Sequence, residues 1–319
     1  MPQVTVGVDV SQEHLDVHVR PSATRKRFKN NDEGIAELLA WVRPLGGQRI
    51  IFESTGPYQK AAVGALLAEG LPAVVVNARQ VRDFAKAMNY LAKTDTIDAA
   101  VIAHFGEVAT TTVRPLDSQE IRDLRDLYDR RGQLVRMLAT EKNQRHSATV
   151  ARASDKVLKS IDKHIDYLEG QIKDLEKRMD ALIETSEAFK ARNEILQTIT
   201  GIGPQVSRTL IAHLPELGQC NRQSIAALVG LAPFNDDSGD HSGQRHIRGG
   251  RKKVRIGMYQ AAVAAIRHCR RTKAFFAALK ARGKASRVAI IAVARKILVL
   301  ANAMIRDMTP YKEPANSVC

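Results

Sequence analysis

At 319 residues and 44% hydrophobic, the chain is long enough for two domains with cores of their own, which excludes a disordered tail protein. It contains no run of about 18 apolar residues, and MPQVTVGVDV enters a strand pattern with no basic-then-apolar leader, so a soluble, cytoplasmic protein without membrane association is expected. The net charge of +15 is unevenly spread: residues 1–115 carry 13 Lys+Arg against 12 Asp+Glu, residues 116–190 carry 15 against 15, and residues 191–319 carry 21 against 7. The last third therefore holds almost the whole excess, and such an excess points to nucleic acid, because neutralising phosphates releases condensed counterions.

In chain order, Val4–Ser11 (VTVGVDVS), Leu15–Arg20 (LDVHVR) and the short KRFKN read as three successive strands, the first two alternating with period two and close enough to pair as a meander. A helix over about Asp32–Val42 follows, then the apolar strand RIIFES around Glu53, a helix after Pro57, the strand AVVVN ending at Asn77, and helices near Val81–Ala87 and Asp95–Phe105. Three strands in a row, then alternation with helices, predict an α/β domain with a mixed sheet covered by helices, the order a ribonuclease H-like fold produces. From Ser118 the pattern turns helical, with a polar cap, early acids and Ile121, Leu124, Leu127 and Leu134 at helical spacing. Within that stretch Leu158, Ile161, Ile165, Leu168, Ile172, Leu175, Met179 and Leu182 recur by threes and fours, a coiled-coil seam. Spacing leaves the partner open: a second protomer, which would make residues 116–190 a dimerisation segment, or another helix of the same chain. Residues 191–319 read as a mainly α-helical domain, with a Gly- and charge-rich loop from Pro233 to Lys253 and alanine-rich helices from Val254 to about Met308. A loop of that length inside a compact domain is usually functional. The three cysteines, Cys220, Cys269 and Cys319, are too widely spaced for a disulfide framework or a zinc site and read as thiols.

Four acids sit where chemistry is conceivable. Asp9 puts a charge inside an otherwise apolar strand, Glu53 ends a later strand, and Asp95 and Asp98 are three apart at a helix start, on one face. Carboxylates at the ends of covered strands are costly unless a cation neutralises them, so a pair of Mg²⁺ ions about 4 Å apart, the arrangement used for phosphoryl transfer, is the natural expectation. Singly, each acid has an ordinary alternative as a turn or cap residue. The polar loop offers Ser238 before a glycine, with Ser242 four residues on, and Arg245, Arg248, Arg251, Lys252, Lys253 and Arg255 nearby to hold a phosphodiester. In TGIGPQVSRTL, Gly201 and Gly203 resemble the turn of a helix-hairpin-helix, which exposes backbone N–H groups to a phosphate; an ordinary helix entry with Pro204 in its first turn fits as well.

Taken together, GVDVS, ESTG, KTDTIDA, GIGP, GLAPFNDDSG and KASRVAIIAVARKIL, in this order over nearly the whole chain, resemble the DEDD transposases of the IS110 insertion-sequence family and the related Piv-type DNA invertases. The resemblance implies an N-terminal RuvC-like domain of ribonuclease H fold with its DEDD acids at Asp9, Glu53, Asp95 and Asp98, binding Mg²⁺. It also implies a C-terminal transposase domain whose nucleophilic serine matches Ser238. Here Asp237 stands where that family usually has a first serine, so Ser242 remains a rival. A homo-oligomer with a composite site, donor and target DNA, and a structured noncoding guide RNA are the implied partners. No G-x-x-x-x-G-K-[ST] loop is present, in keeping with strand transfer that conserves bond energy. A Holliday-junction-type hydrolytic nuclease and a non-catalytic nucleic-acid-binding protein are the competing readings.

Overall fold

A computed structural model describes residues 4–46, 49–54, 56–90, 95–109, 113, 117–235, 237–238, 241–243 and 245–312; at 95–97, 237–238 and 241–242 the backbone alone is described. The chain divides into two compact units, Met1–Asp117 and Ser118–Cys319.

The first unit is built on strands β1 (Thr5–Val10), β2 (His14–Arg20), β3 (Arg25–Lys29), β4 (Arg49–Glu53) and β5 (Ala73–Val76), with helices α1 (Asp32–Val42), α2 (Lys60–Ala68), α3 (Ala78–Ala87) and α4 (Asp95–Val108). The sheet order is β3-β2-β1-β4-β5; β1, β2 and β3 pair antiparallel, while β4 and β5 join β1 in parallel. This is the mixed sheet covered by helices that the strand and helix pattern predicts. Alternation sends Val6, Val8, Leu15, Val17, Ile50 and Phe52 into a core closed by Ile35 and Leu38 of α1 and Leu66 of α2. The opposite face packs Ile51, Val74 and Val76 against Val81 of α3 and Val101 and Ile102 of α4. On that face α4 approaches β1 so closely that a Cβ at Gly7 would lie 2.3 Å from both the Ala99 carbonyl oxygen and the Ala103 nitrogen. One turn or so along, a Cβ at Gly106 would lie 2.3 Å from Ile51 Cγ1. Small residues on both elements thus set backbone against backbone.

The second unit begins with two long helices, α5 (Gln119–Val150) and α6 (Asp155–Thr185). The ion pairs between them, Arg131–Glu176, Lys142–Glu169 and Arg145–Asp162, each 2.7 Å, join ever later residues of one to ever earlier residues of the other, so they form an antiparallel hairpin. The heptad seam therefore has a partner inside the chain: Leu168 and Ile172 bury against Leu134. Leu158, Ile161 and Ile165, toward the hairpin tip, are half-buried, and Val150, Val157 and Tyr167 are exposed there. The base of the hairpin merges with α7 (Glu187–Gln197), α8 (Pro204–His213), α9 (Arg222–Val229), α10 (Lys252–His268), α11 (Arg270–Ala281) and α12 (Ser286–Asp307) around one core. By length and composition α12 could cross a membrane, but its apolar stripe, Ala289, Val293, Ile297, Leu298 and Ala301, is buried against the other helices, which explains its hydropathy within the bundle. Cys220, half-buried, and Cys269, buried, take part in no disulfide.

Asp129 of α5 ties three helices together. Lys253 of α10 donates to its Oδ1, and His213 Nε2 at the end of α8 lies 3.4 Å from the same atom. Burial raises its pKa, but the contacts with His213 and Lys253 outweigh that and hold it down at about 2.

Two outcomes follow. Gly7→Ala brings a methyl into two backbone atoms, so α4 must lift; overpacking of about 3 kcal/mol should lower the melting midpoint by on the order of 10 °C, and an unchanged melt would refute the packing argument. Asp129 has a depressed folded pKa, so its stabilisation is present above its ordinary value of 3.8 and fades as pH falls toward about 2. Discounted for solvent screening, it amounts to about 1 kcal/mol. The stability gap between the parent chain and Asp129→Asn, measured by urea unfolding, should hold constant near neutrality and narrow below about pH 4; a gap independent of pH would assign the loss to packing alone.

Candidate active site

The acids of the first unit are brought together by strand register. In the parallel pair Val8 lies beside Phe52, and continuing by one residue sets Asp9 beside Glu53, at the carboxyl ends of the two central strands. Asp9 shares a face with Gly7, and Glu53 with Ile51, which is the face covered by α4. Since α4 crosses with Gly106 over Thr5 and Ile51, and Ala99 and Ala103 over Gly7, it runs antiparallel to β1. The next turn toward its start, with Asp98 and the backbone of Asp95, therefore lies toward Asp9; about 7 Å of helix matches two strand residues. Asp9, Glu53 and Asp98 are all half-buried, and Asp9 Oδ1 accepts the backbone N–H of Val10 at 3.0 Å. The side chain of Asp95 lies outside the described residues. Among the described residues no group of three or more His, Cys, Asp or Glu side chains is gathered closely enough to hold a metal ion.

A fifth acid joins them. In the antiparallel pair of β1 and β2, Asp16 lies directly opposite Asp9. Like charges in that position repel, and Asp16 is neutralised from its other side by Arg27, which donates Nε to Oδ1 at 2.7 Å and Nη2 to Oδ2 at 3.1 Å. Beside it His18 is buried; desolvation first, then the charges of Arg25 and Arg20, lower its pKa, so the ring is neutral at pH 7. Asp16 was legible in principle, since Asp9 and Asp16 are equidistant from the turn between the two strand patterns.

In the second unit the described parts of the polar loop pair as two short, nested two-stranded ladders, together forming a ribbon. Pro233–Phe234 (β6) pairs with His246–Ile247 (β9) as a stalk, and Asp237–Ser238 (β7) pairs with His241–Ser242 (β8) nearer the tip. Ser238 is opposite His241, and Ser242 opposite Asp237. The ribbon's base is closed by glycines: Gly230 ends α9 with φ 77°, and a Cβ on it would lie 2.3 Å from the Gly249 carbonyl oxygen.

The basic residues of this region sort into two kinds. Arg251 forks Glu216, with Nη1–Oε2 at 2.6 Å and Nη2–Oε1 at 2.5 Å, and donates to the His213 carbonyl at 2.8 Å; Lys253 holds Asp129; Arg255 donates to the Gly249 carbonyl. These three brace the fold. Arg245, Arg248 and Lys252 are exposed, with Arg248 over the ring of Phe234 at 5.0 Å. Beside the stalk lies an open cavity of about 440 Å³, lined by Arg245, His246, Tyr259, Ile291 and two arginines that reading the sequence did not single out, Arg287 and Arg295. Those two are eight residues apart on α12, two turns along one face.

The GIGP segment opens α8, with Gly203 as its N-cap and Pro204 in the first turn. Gly201 has φ 99°, and a Cβ there would lie 2.3 Å from the Ala261 carbonyl oxygen, so helix packing already requires that glycine; Gly203 is exposed.

Comparison with known proteins is consistent along the chain. Residues 6–151 match a family model described as "Transposase", of the DEDD type of IS110, and residues 193–277 match one described as "Transposase IS116/IS110/IS902 family". The pilin gene-inverting proteins of Moraxella bovis and Moraxella lacunata are each 24% identical over 322 aligned positions, covering 98% of this chain and 98% of theirs. A 43.6 kDa protein of insertion element IS110 from Streptomyces coelicolor is 25% identical over 160 positions, half of this chain and 38% of its own length. With both family models matched in order and full-length likeness to DNA-inverting proteins, the chain belongs to the IS110 family of transposases and is a DNA-recombining enzyme.

Proposed function

We propose that this enzyme cuts and rejoins DNA by two transesterifications, with Ser238 as nucleophile and Asp9, Glu53, Asp95 and Asp98 as the acids that govern the reacting phosphate. The observation that carries the reading is the register that sets Asp9 beside Glu53 beneath the start of α4. The order β3-β2-β1-β4-β5, three antiparallel strands then two parallel ones, supports a RuvC-like, ribonuclease H-like assignment for residues 1–115. Residues 116–190 then serve as a helical spacer whose half-exposed tip offers a surface to a second protomer, and residues 191–319 as the transposase domain.

The donor set is all carboxylate oxygen, which suits Mg²⁺, and Asp9 sits between two other acids, Asp16 and Glu53, a placement that a divalent cation relieves. When bound, Mg²⁺ would polarise the phosphate and offset the acids' mutual repulsion. The chain's own part is to present the serine. The Ser238 Oγ forms a bond to phosphorus as the bond to one DNA oxygen breaks, the hydroxyl proton passes to solvent or a nearby base, and the departing strand leaves as a hydroxyl. A second DNA hydroxyl then attacks the phosphoserine, restoring the phosphodiester and the serine, so no net hydrolysis occurs. Arg245, Arg248 and Lys252 hold backbone phosphates from their exposed positions, and the arginine-rimmed cavity beside the ribbon suits a base with its phosphates. Gly203 exposes the first N–H groups of α8 to a further phosphate, whereas Gly201 acts through packing. A structured noncoding RNA, pairing with donor and target DNA, supplies sequence choice, and the enzyme works in the cytoplasm on chromosomal DNA. The relatives named for inverting a pilin gene support rejoining over simple cutting, since inversion reseals both ends of a segment.

The test combines the purified protein, RNA transcribed from its gene's flanks, Mg²⁺ and DNA carrying the element junction, and looks for protein covalently attached to a DNA end. The adduct should form with the parent chain and fall by at least about 100-fold in both Ser238→Ala and Asp9→Ala. Cleavage without an adduct would make the enzyme a hydrolytic nuclease, an adduct persisting in Ser238→Ala but lost in Ser242→Ala would move the nucleophile, and full activity without Mg²⁺ or in Asp9→Ala would remove the acids from the chemistry.

A further inference from the structure

The row of charges that crosses the sheet does not stop at the acids. Register sets Arg27 opposite Asp16 and Asp16 opposite Asp9, so β3, β2, β1 and β4 contribute Arg27, Asp16, Asp9 and Glu53 side by side. Arg25, Arg27 and Lys29 occupy alternate positions of β3, on the same face and about 6.8 Å apart. They are exposed, and β3 is the edge of the sheet. Between this edge and α4 lies an open cavity of about 260 Å³ lined by Asp16, His18, Arg25, Lys26, Arg27 and Ala99. Its walls adjoin the acids on both sides, because Asp16 faces Asp9 across the strands and Ala99 follows Asp98 in α4. His18 in that wall is only 5% exposed, and its Nδ1 has no hydrogen-bond partner, an orphaned polar group beside a cluster of cations.

We propose that this cavity is a phosphodiester seat, in which Arg25 and Arg27 grip the DNA strand one or two nucleotides from the phosphate that the acids govern. It rests on the reading of Asp9 and Glu53 as the reacting site. Two strand spacings separate Arg27 from Asp9, about 10 Å, so the seat holds a neighbouring phosphate and not the reacting one. Asp16 is a positioning residue: its two-point fork orients the guanidinium, whose five donors in a fixed plane suit a phosphate. The ordinary role of a charged edge strand, discouraging pairing with other sheets, needs neither the fork nor the cavity.

The experiment measures binding of the full-length chain to a short labelled single-stranded DNA, and to RNA of the same sequence, as a function of salt in EDTA, where metal-dependent cutting is halted whichever residue attacks. Arg25→Ala/Arg27→Ala should lower the slope of log K against log salt for DNA by about 1.4, two single-strand phosphate contacts, and weaken binding at least tenfold. Arg25→Lys/Arg27→Lys should restore most of the slope, and Arg43→Ala, in the turn after α1 where it pairs with Glu69, should leave it unchanged. An unchanged slope in the double alanine variant, with an unchanged melting midpoint, would overturn the proposal; so would a loss confined to RNA, which would give the edge to the guide strand. Loss of the DNA slope in a chain whose parent forms no serine adduct would keep the seat and overturn the nucleophile alone.

Discussion

The placement of the acidic residues in the first unit depends on one backbone contact, the seating of α4 on β1 at Gly7. Without a Cβ at that position, the helix settles until the Ala99 carbonyl and the Ala103 amide occupy the space where a side chain would be. That depth brings the start of α4 to the level of the strand ends where Asp9 and Glu53 stand. Contact between backbones is also stiff, since neither partner can move aside by changing rotamer. The backbone positions of Asp9 and Glu53 are consequently set by strand register and helix packing.

The second unit is organised differently, around charges that would otherwise be read as ligands for a polyanion. The excess of basic residues after position 190 is real, yet part of it is consumed in holding helices together: Arg251 on Glu216, Lys253 on Asp129, Arg208 of α8 on Asp180 of α6. A smaller group of cations, Arg245, Arg287 and Arg295, lines the cavity beside the stalk, and Arg248 lies over the ring of Phe234.

Much of the architecture was legible in the residues because it is local. Period-two alternation in VTVGVDV and HLDVHVR, the polar cap at Ser118, and the punctuation by glycine and proline locate strands and helices to within a few residues. Asp9 stood out as a charge inside an otherwise apolar strand. What depends on pairing at a distance was not legible. A heptad seam reads the same whether it meets another chain or the preceding helix, and only the ladder of ion pairs from Arg131–Glu176 to Arg145–Asp162 distinguishes the two. Likewise Arg251 and Arg248 look alike in a string of basic residues; one finds a carboxylate 35 positions away and the other an aromatic face on the facing strand. The loop's ribbon escaped notice because its paired segments are two residues each, too short for alternation to register.

The glycine clasp at the foot of that ribbon, where Gly230 meets Gly249 and a Cβ on Gly250 would lie 2.3 Å from the Gly230 nitrogen, makes the ribbon a cantilever. Its root is clamped to the bundle, so the helices beneath do not depend on how many residues pair above the clasp. Residues could be added to or removed from the paired segments, moving Ser238 relative to the bundle, without disturbing the packing of the helices.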